Sequence, residues 1–291
     1  MKTRSISAIG VVLVGIVPAL FGGPVWAITW ALICMIAFVE FHGLASNFSP
    51  RIPKVGILLI PCFAAVAWTN HQERLAMGLV ALSVFLPIIS TVRRKNLAGS
   101  VTDWALGAAG TLYFGVAVFS ASQLRLMDGT VSRKWLTDLD ASFSIAWHDA
   151  PRGLAWLLVV ILCTWMADTF AYLVGSKVGK HKLAPVVSPN KSREGFGGGF
   201  VAAAVTGGIT FWLFGLTSHW GWLWGLLFGA IIAWVALYGD LAESVLKRDA
   251  GVKDSSDLIP GHGGMLDRID ALLFTFTAGW FLALAFDCWI L

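Results

Sequence analysis

Residues 253–270 read KDSSDLIPGHGGMLDRID, and eleven charged residues lie between Asp240 and Asp270. Charged residues make up only 13% of the chain, so this crowding marks a place where polar ligands are handled. Four carboxylates stand out. Asp168 lies inside an apolar run about two turns before its end, Asp240 closes another such run, and Asp267 and Asp270 open a third. The last two are three residues apart and so share one helical face. An ionised carboxylate at membrane depth is costly. A hydrogen bond to a neighbouring helix would account for Asp168 alone, whereas four carboxylates from three runs ask for a shared ligand. Nearby Lys and Arg are one answer. Oxygen donors without Cys or paired His also suit a hard divalent cation, and Mg2+ typically takes one or two carboxylates plus substrate phosphates.

The basic residues are then available for anions. If the run ending at Asp240 stays helical a little further, Asp240, Glu243, Ser244 and Lys247 follow i, i+3, i+4, i+7 spacing and form one polar stripe. Gly261, Gly263 and Gly264 surround His262, and Gly195, Gly197, Gly198 and Gly199 open a later apolar run. Such glycines let backbone amides approach a phosphate. In a membrane protein they equally let helices pack closely. The preceding SPNKSRE adds Ser188, Lys191, Ser192 and Arg193, which favours phosphate. There is no G-x-S-x-G elbow and no cysteine beside a histidine in a loop. A reaction whose nucleophile is itself a phosphate needs neither, because its difficulty is like-charge repulsion, which metal and Lys/Arg relieve. Phosphoryl or nucleotidyl transfer follows.

The elements that must position these residues are membrane helices. Mean hydropathy is +0.75 and 57% of the 291 residues are hydrophobic, too apolar for a soluble globule. Runs long enough to cross a hydrocarbon core of roughly 30 Å fall at about 5–21, 24–43, 55–69, 75–92, 101–121, 153–176, 196–216, 219–241 and 270–290. The expected fold is an all-α polytopic membrane protein of nine spans, the first retained in the mature chain. It forms a single membrane domain: N-terminal helices and an outer loop in 1–152, and a catalytic part with two cytoplasmic loops in 153–291. Sixteen basic residues lie on the side of the N-terminus and five on the other, so the N-terminus is expected in the cytoplasm and the C-terminus outside. The net charge of +4 reflects these loops, and no nucleic-acid partner is expected. Cys34, Cys62, Cys163 and Cys288 sit in apolar runs and read as packing residues. Intramembrane aspartates also build ion-coupling sites in secondary transporters. Against that reading, no repeat relates the two halves and the polar groups gather on one face.

The segment SVLKRDAGVKDSSDLIPGHGGMLDRID, Ser244 to Asp270, resembles the signature of phosphatidate cytidylyltransferases, the CDP-diacylglycerol synthases, without departure. Upstream, DTFAYLVGSKVGKHKLAPVVSPNKSREG is similar to the same family, so the resemblance covers most of 168–270. Residues 1–150 match it only as hydrophobic helices. The resemblance implies that CTP and phosphatidate give CDP-diacylglycerol and pyrophosphate with Mg2+, and it leaves room for a second cation such as K+. Carried onto this chain, the metal-binding aspartates are Asp240 and Asp267, with Asp270 and Asp168 orienting ligands or helping to bind metal. Lys247, Arg248 and Lys253 would neutralise phosphates, as would Lys191 and Arg193, and His262 would donate to a phosphate or to pyrophosphate. Ser188, Ser192, Ser244, Asp254, Gly263, Gly264 and Arg268 complete the expected substrate contacts. A related enzyme acting on another lipid phosphate fits the same residues. The expected setting is a bacterial inner membrane with the site facing the cytoplasm, phospholipid around it, and a homodimer allowed for.

Overall fold

Long apolar runs in lipid must satisfy their backbone groups internally, and the chain does so as helix. The computed structural model describes residues 15–49, 51–69, 72–92, 94–144, 150–216, 221–259 and 263–289. Within them, residues 15–21 are helical, followed by α1 (Gly23–Ala45), α2 (Gly56–Val66), α3 (Gln72–Val92), α4 (Ser100–Arg125), α5 (Lys134–Phe143) and α6 (Pro151–Val178). A hairpin of β1 (Lys182–Ala184) and β2 (Ser188–Ser192) leads to α7 (Arg193–Phe214), α8 (Gly221–Asp249) and α9 (Leu266–Trp289).

Seven of these helices are long and apolar enough to cross a membrane, which makes the chain a multi-pass membrane protein. Among the described residues, the expectation of nine differs in one place. The run at 55–69 forms only the eleven-residue α2, roughly 16 Å long at 1.5 Å per residue and too short for the hydrocarbon core. The run at 5–21 lies largely outside the described residues. The 122–152 stretch, expected as a loop, contains the end of α4 and all of α5. Among the described residues, the two strands that depart from all-helix form a hairpin, paired antiparallel with Lys182 opposite Ser192 and Ala184 opposite Ser188.

Two compact units can be distinguished. The first combines Pro24–Ser122 with Leu246–Ile269. Its core is aromatic: Phe114 of α4 meets the edges of Phe38 and Phe41 of α1 at 5.9 Å between ring centres. Trp26 Nε1 donates to the Ala121 carbonyl at 3.0 Å, tying the other ends of the same two helices together. At the start of α4, Asp103 accepts hydrogen bonds from Ser49 and Arg94.

The second unit combines Ile16–Gly23, Gln123–Val245 and Asp270–Leu291. Trp156 of α6, Phe211 of α7, Phe228 of α8 and Phe286 of α9 cluster at its centre. Small residues bring α7 and α8 into backbone contact: a Cβ added to Gly207 would stand 2.1 Å from the Gly225 carbonyl oxygen. Thr164 donates to Thr275 at 3.0 Å between α6 and α9. Arg125, fully buried, pairs with Asp140 of α5 at 2.7 Å and also donates to the Ala19 and Ala150 carbonyls. Cys34 and Cys163 are buried as expected of packing residues, whereas Cys62 is exposed.

Candidate active site

In the second unit, a cavity of about 500 Å³ opens beside the end of α6. Helix α6 contributes Asp168 and Tyr172, the hairpin contributes Asn190 and Lys191, α7 contributes Phe196 and Phe200, and α8 contributes Leu237 and Asp240. The cavity therefore has a charged pole and apolar walls. At the pole, Lys191 Nζ stands 2.5 Å from Asp240 Oδ2. Asp168 and Asp240 are close enough to feel each other's charge and that of Lys191, and Asp270 feels Asp240, Glu243 and Asp168.

The hairpin places Lys191 because its base is tied down. Arg193 N donates to the His181 carbonyl at 2.8 Å, and the Glu194 carboxylate accepts from the Lys180 and His181 amides at 3.1 and 3.2 Å. Ser192, expected at a phosphate, is the N-cap of α7 and accepts from the Gly195 amide at 3.1 Å. Gly195 and Gly199 of GFGGG pack one helix on another: a Cβ on Gly195 would lie 2.7 Å from the Ala171 oxygen, and one on Gly199 2.4 Å from that of Ala167, both on α6. Helix α8 does continue past Asp240, to Asp249, so the polar stripe is formed. Along it Glu243 and Ser244 are buried, and Ser244 Oγ lies 3.5 Å from Asp240 Oδ1.

In the first unit, the signature loop folds around Asp267. Its Oδ1 accepts from Lys247 Nζ at 2.6 Å. Its Oδ2 accepts from the Ser255 amide at 2.9 Å, and from Ser255 Oγ and the Gly264 amide at 2.7 Å each. The turn needs both glycines. Gly263 has φ +76, a region side chains avoid, and a Cβ on Gly264 would strike Ser255 Oγ at 2.1 Å. The Gly264 amide thus approaches an anion, and in the folded chain that anion is Asp267. Arg248 donates to the Val252 carbonyl at 3.1 Å, while Lys253, Asp254 and Arg268 are exposed. Ser188 is half-buried on the hairpin. His262 lies outside the described residues.

Sequence reasoning passes over Glu40. This residue of α1 is 9% exposed, and its carboxylate accepts hydrogen bonds from Ser256, Met265 and Leu266, with Ser255 Oγ 3.3 Å away. A carboxylate inside an apolar run is itself the signal, as it is for Asp168.

Among the described residues, no group of three or more His, Cys, Asp or Glu side chains is arranged to hold a metal. The donors present fit an ion that takes one or two carboxylates and draws its other ligands from water and phosphate, which is how Mg2+ is usually held.

A multi-pass helical protein with a lysine-paired carboxylate beside a cavity, and a glycine turn closed on a second lysine-paired carboxylate, belongs with membrane enzymes acting on phosphates. The chain matches the cytidylyltransferase family over residues 2–286 and belongs to it. Among its relatives, a phosphatidate cytidylyltransferase of Staphylococcus saprophyticus is 33% identical over 236 residues, covering 78% of this chain and 90% of that protein. Those of Staphylococcus haemolyticus and a Synechocystis species are each 30% identical, over 94% of this chain and 95% and 92% of theirs.

Proposed function

We propose that the chain transfers CMP from CTP to phosphatidate, giving CDP-diacylglycerol and pyrophosphate. A phosphate oxygen of phosphatidate attacks the α-phosphorus of CTP, the bond to the β-phosphate breaks, and pyrophosphate leaves with the electron pair. The observation that carries this reading is the pair of lysine–aspartate contacts, Lys191–Asp240 and Lys247–Asp267, in the two segments that resemble the family. Two polyanions must meet for this reaction, and each lysine sits where it screens a phosphate once its carboxylate is engaged elsewhere. The cavity of the second unit suits a lipid phosphate: its charged pole would take the headgroup and its apolar walls the start of an acyl chain.

Mg2+, when bound, supplies positive charge to the triphosphate oxygens and to the departing pyrophosphate. Asp240 and Asp267 are the ligands we assign to it, with Asp168 and Asp270 orienting, and with room for a second cation such as K+. The charge distribution of the loops supports a cytoplasmic N-terminus, an outside C-terminus and a site facing the cytoplasm of a bacterial inner membrane, where CTP and inner-leaflet phosphatidate both arrive. A homodimer belongs to the same proposal.

The test is the purified chain in detergent with CTP, phosphatidate and Mg2+. Stoichiometric release of pyrophosphate and CDP-diacylglycerol is expected, stopped by EDTA and restored by Mg2+. ATP in place of CTP, and other lipid phosphates in place of phosphatidate, should support far less. Absence of pyrophosphate release would count against this proposal and favour the transporter reading.

A further inference from the structure

Glu40 is the only acidic residue among the first 72, and it lies in the apolar helix α1. A buried carboxylate must be offset by hydrogen bonds, and here the donors among the described residues come from the signature loop more than 200 residues away. Glu40 Oε1 accepts from Ser256 Oγ at 2.6 Å and from the Met265 amide at 2.9 Å. Glu40 Oε2 accepts from the Leu266 amide at 2.7 Å, with Ser255 Oγ 3.3 Å away. Leu266 is the first residue of α9. Glu40 thus caps that helix in trans, satisfying amides that have no partner within it and placing negative charge at its positive end.

The same loop aims Asp267. Ser255 Oγ has one proton to give, and it lies nearer Asp267 Oδ2, at 2.7 Å, than Glu40 Oε2. Ser255 and Gly264 therefore hold Asp267 while Glu40 holds Ser256, Met265 and Leu266, the residues on either side. Two carboxylates share one short segment, and each keeps the other's donors in place.

We propose that Glu40 is a positioning residue for the cytidylyltransfer reaction: by gripping both ends of the 255–266 segment it sets the direction in which Asp267 is presented to metal and nucleotide. This rests on the functional reading given above. Glu40→Gln keeps the size of the side chain but turns one of its two oxygens into a donor, so one pair of loop donors faces an N–H group. The first unit keeps its aromatic core.

The experiment compares Glu40→Gln, Glu40→Asp and Ser256→Ala with the unaltered chain in detergent, using two readouts. Backbone hydrogen exchange, measured without substrate, should quicken at least tenfold in peptides covering 253–266 of Glu40→Gln and stay unchanged in α3 and α4. The Mg2+ concentration giving half-maximal turnover should rise at least fivefold, with a smaller change in the KM for phosphatidate. Glu40→Asp, which keeps the charge, should recover part of both effects, and Ser256→Ala should show a weaker form of them. Wild-type exchange and Mg2+ dependence in Glu40→Gln would overturn the proposal. Faster exchange throughout the first unit with unchanged Mg2+ dependence would also overturn it, because it marks a merely structural residue. If Glu40→Gln does not fold, unchanged loop exchange in both Ser256→Ala and Glu40→Asp refutes it. A wild-type chain that turns over neither substrate would defeat the functional reading, while the exchange arm still decides the role of Glu40.

Discussion

Two glycines two residues apart in GFGGG provide a paired test of what that motif does. A Cβ on Gly199 would stand 2.4 Å from the Ala167 carbonyl oxygen and 3.0 Å from Ala171 Cβ, whereas one on Gly197 would meet nothing within 4 Å. An ordinary contact begins at 3.4 Å, and the Ala167 oxygen is helix backbone that cannot swing away. Gly199→Ala must therefore push α7 from α6 by about 1 Å, an overpacking cost of about 1–3 kcal/mol. Both substitutions gain the same helix propensity, about 1 kcal/mol, so the difference between the variants isolates the clash. At about 2–4 °C per kcal/mol for chains of this size, Gly199→Ala should melt roughly 2–12 °C below Gly197→Ala. The assay is the apparent unfolding midpoint of the two purified variants in one detergent at one heating rate, because membrane proteins commonly unfold irreversibly. Turnover of CTP and phosphatidate by Gly197→Ala should match that of the unaltered chain, whereas Gly199 lines the cavity, and its alanine variant should need more phosphatidate to reach half-maximal rate. Equal midpoints would mean that the two helices do not touch at Gly199. Equal loss of activity without loss of stability would point instead to a phosphate held by the glycine backbone.

Asp240→Asn and Asp267→Asn should each lower turnover at least a hundredfold while the protein still purifies as a folded species; near-normal activity in either would remove that residue from the metal reading. Lys191→Met should raise the KM of a phosphate-bearing substrate about tenfold. It should cost only about 0–1 kcal/mol of stability, because Lys191 and Asp240 are both partly exposed, and a melting-point drop larger than a few degrees would show that the pair is structural. Arg125→Met removes the buried guanidinium that pairs with Asp140 and should destabilise the chain by about 3–5 kcal/mol, with Arg125→Met/Asp140→Leu recovering part of that loss in thermal melts and activity per folded molecule unchanged.

Most of the helices are legible in the chain because the bilayer imposes a simple condition, about twenty apolar residues in a row, that a run either meets or fails. Helix α2 shows the limit of that reasoning: hydropathy extends through 55–69, but the helix stops at Val66, so the run is apolar without being long enough. The hairpin is illegible for a different reason. Its strands are three and five residues long, and their placement depends on Glu194 and Arg193 meeting the 180–181 backbone, which no periodicity announces.

The site divides in the same way. Asp168, Asp240 and Asp267 can be picked out because charge is rare here and expensive at membrane depth, and Lys191 and Lys247 because they lie in the same polar segments. Which lysine meets which aspartate is a matter of folding. A glycine that admits a phosphate and one that admits a neighbouring helix are the same letter, and only the position of the Ala167 oxygen tells them apart for Gly199. Glu40 is the sharpest case, a lone carboxylate among apolar residues whose donors come from a loop joined to it by more than two hundred residues of chain. Local composition carries burial cost and helical length, because each depends on a few adjacent residues; it carries no record of distant partners, because those depend on how separated segments pack.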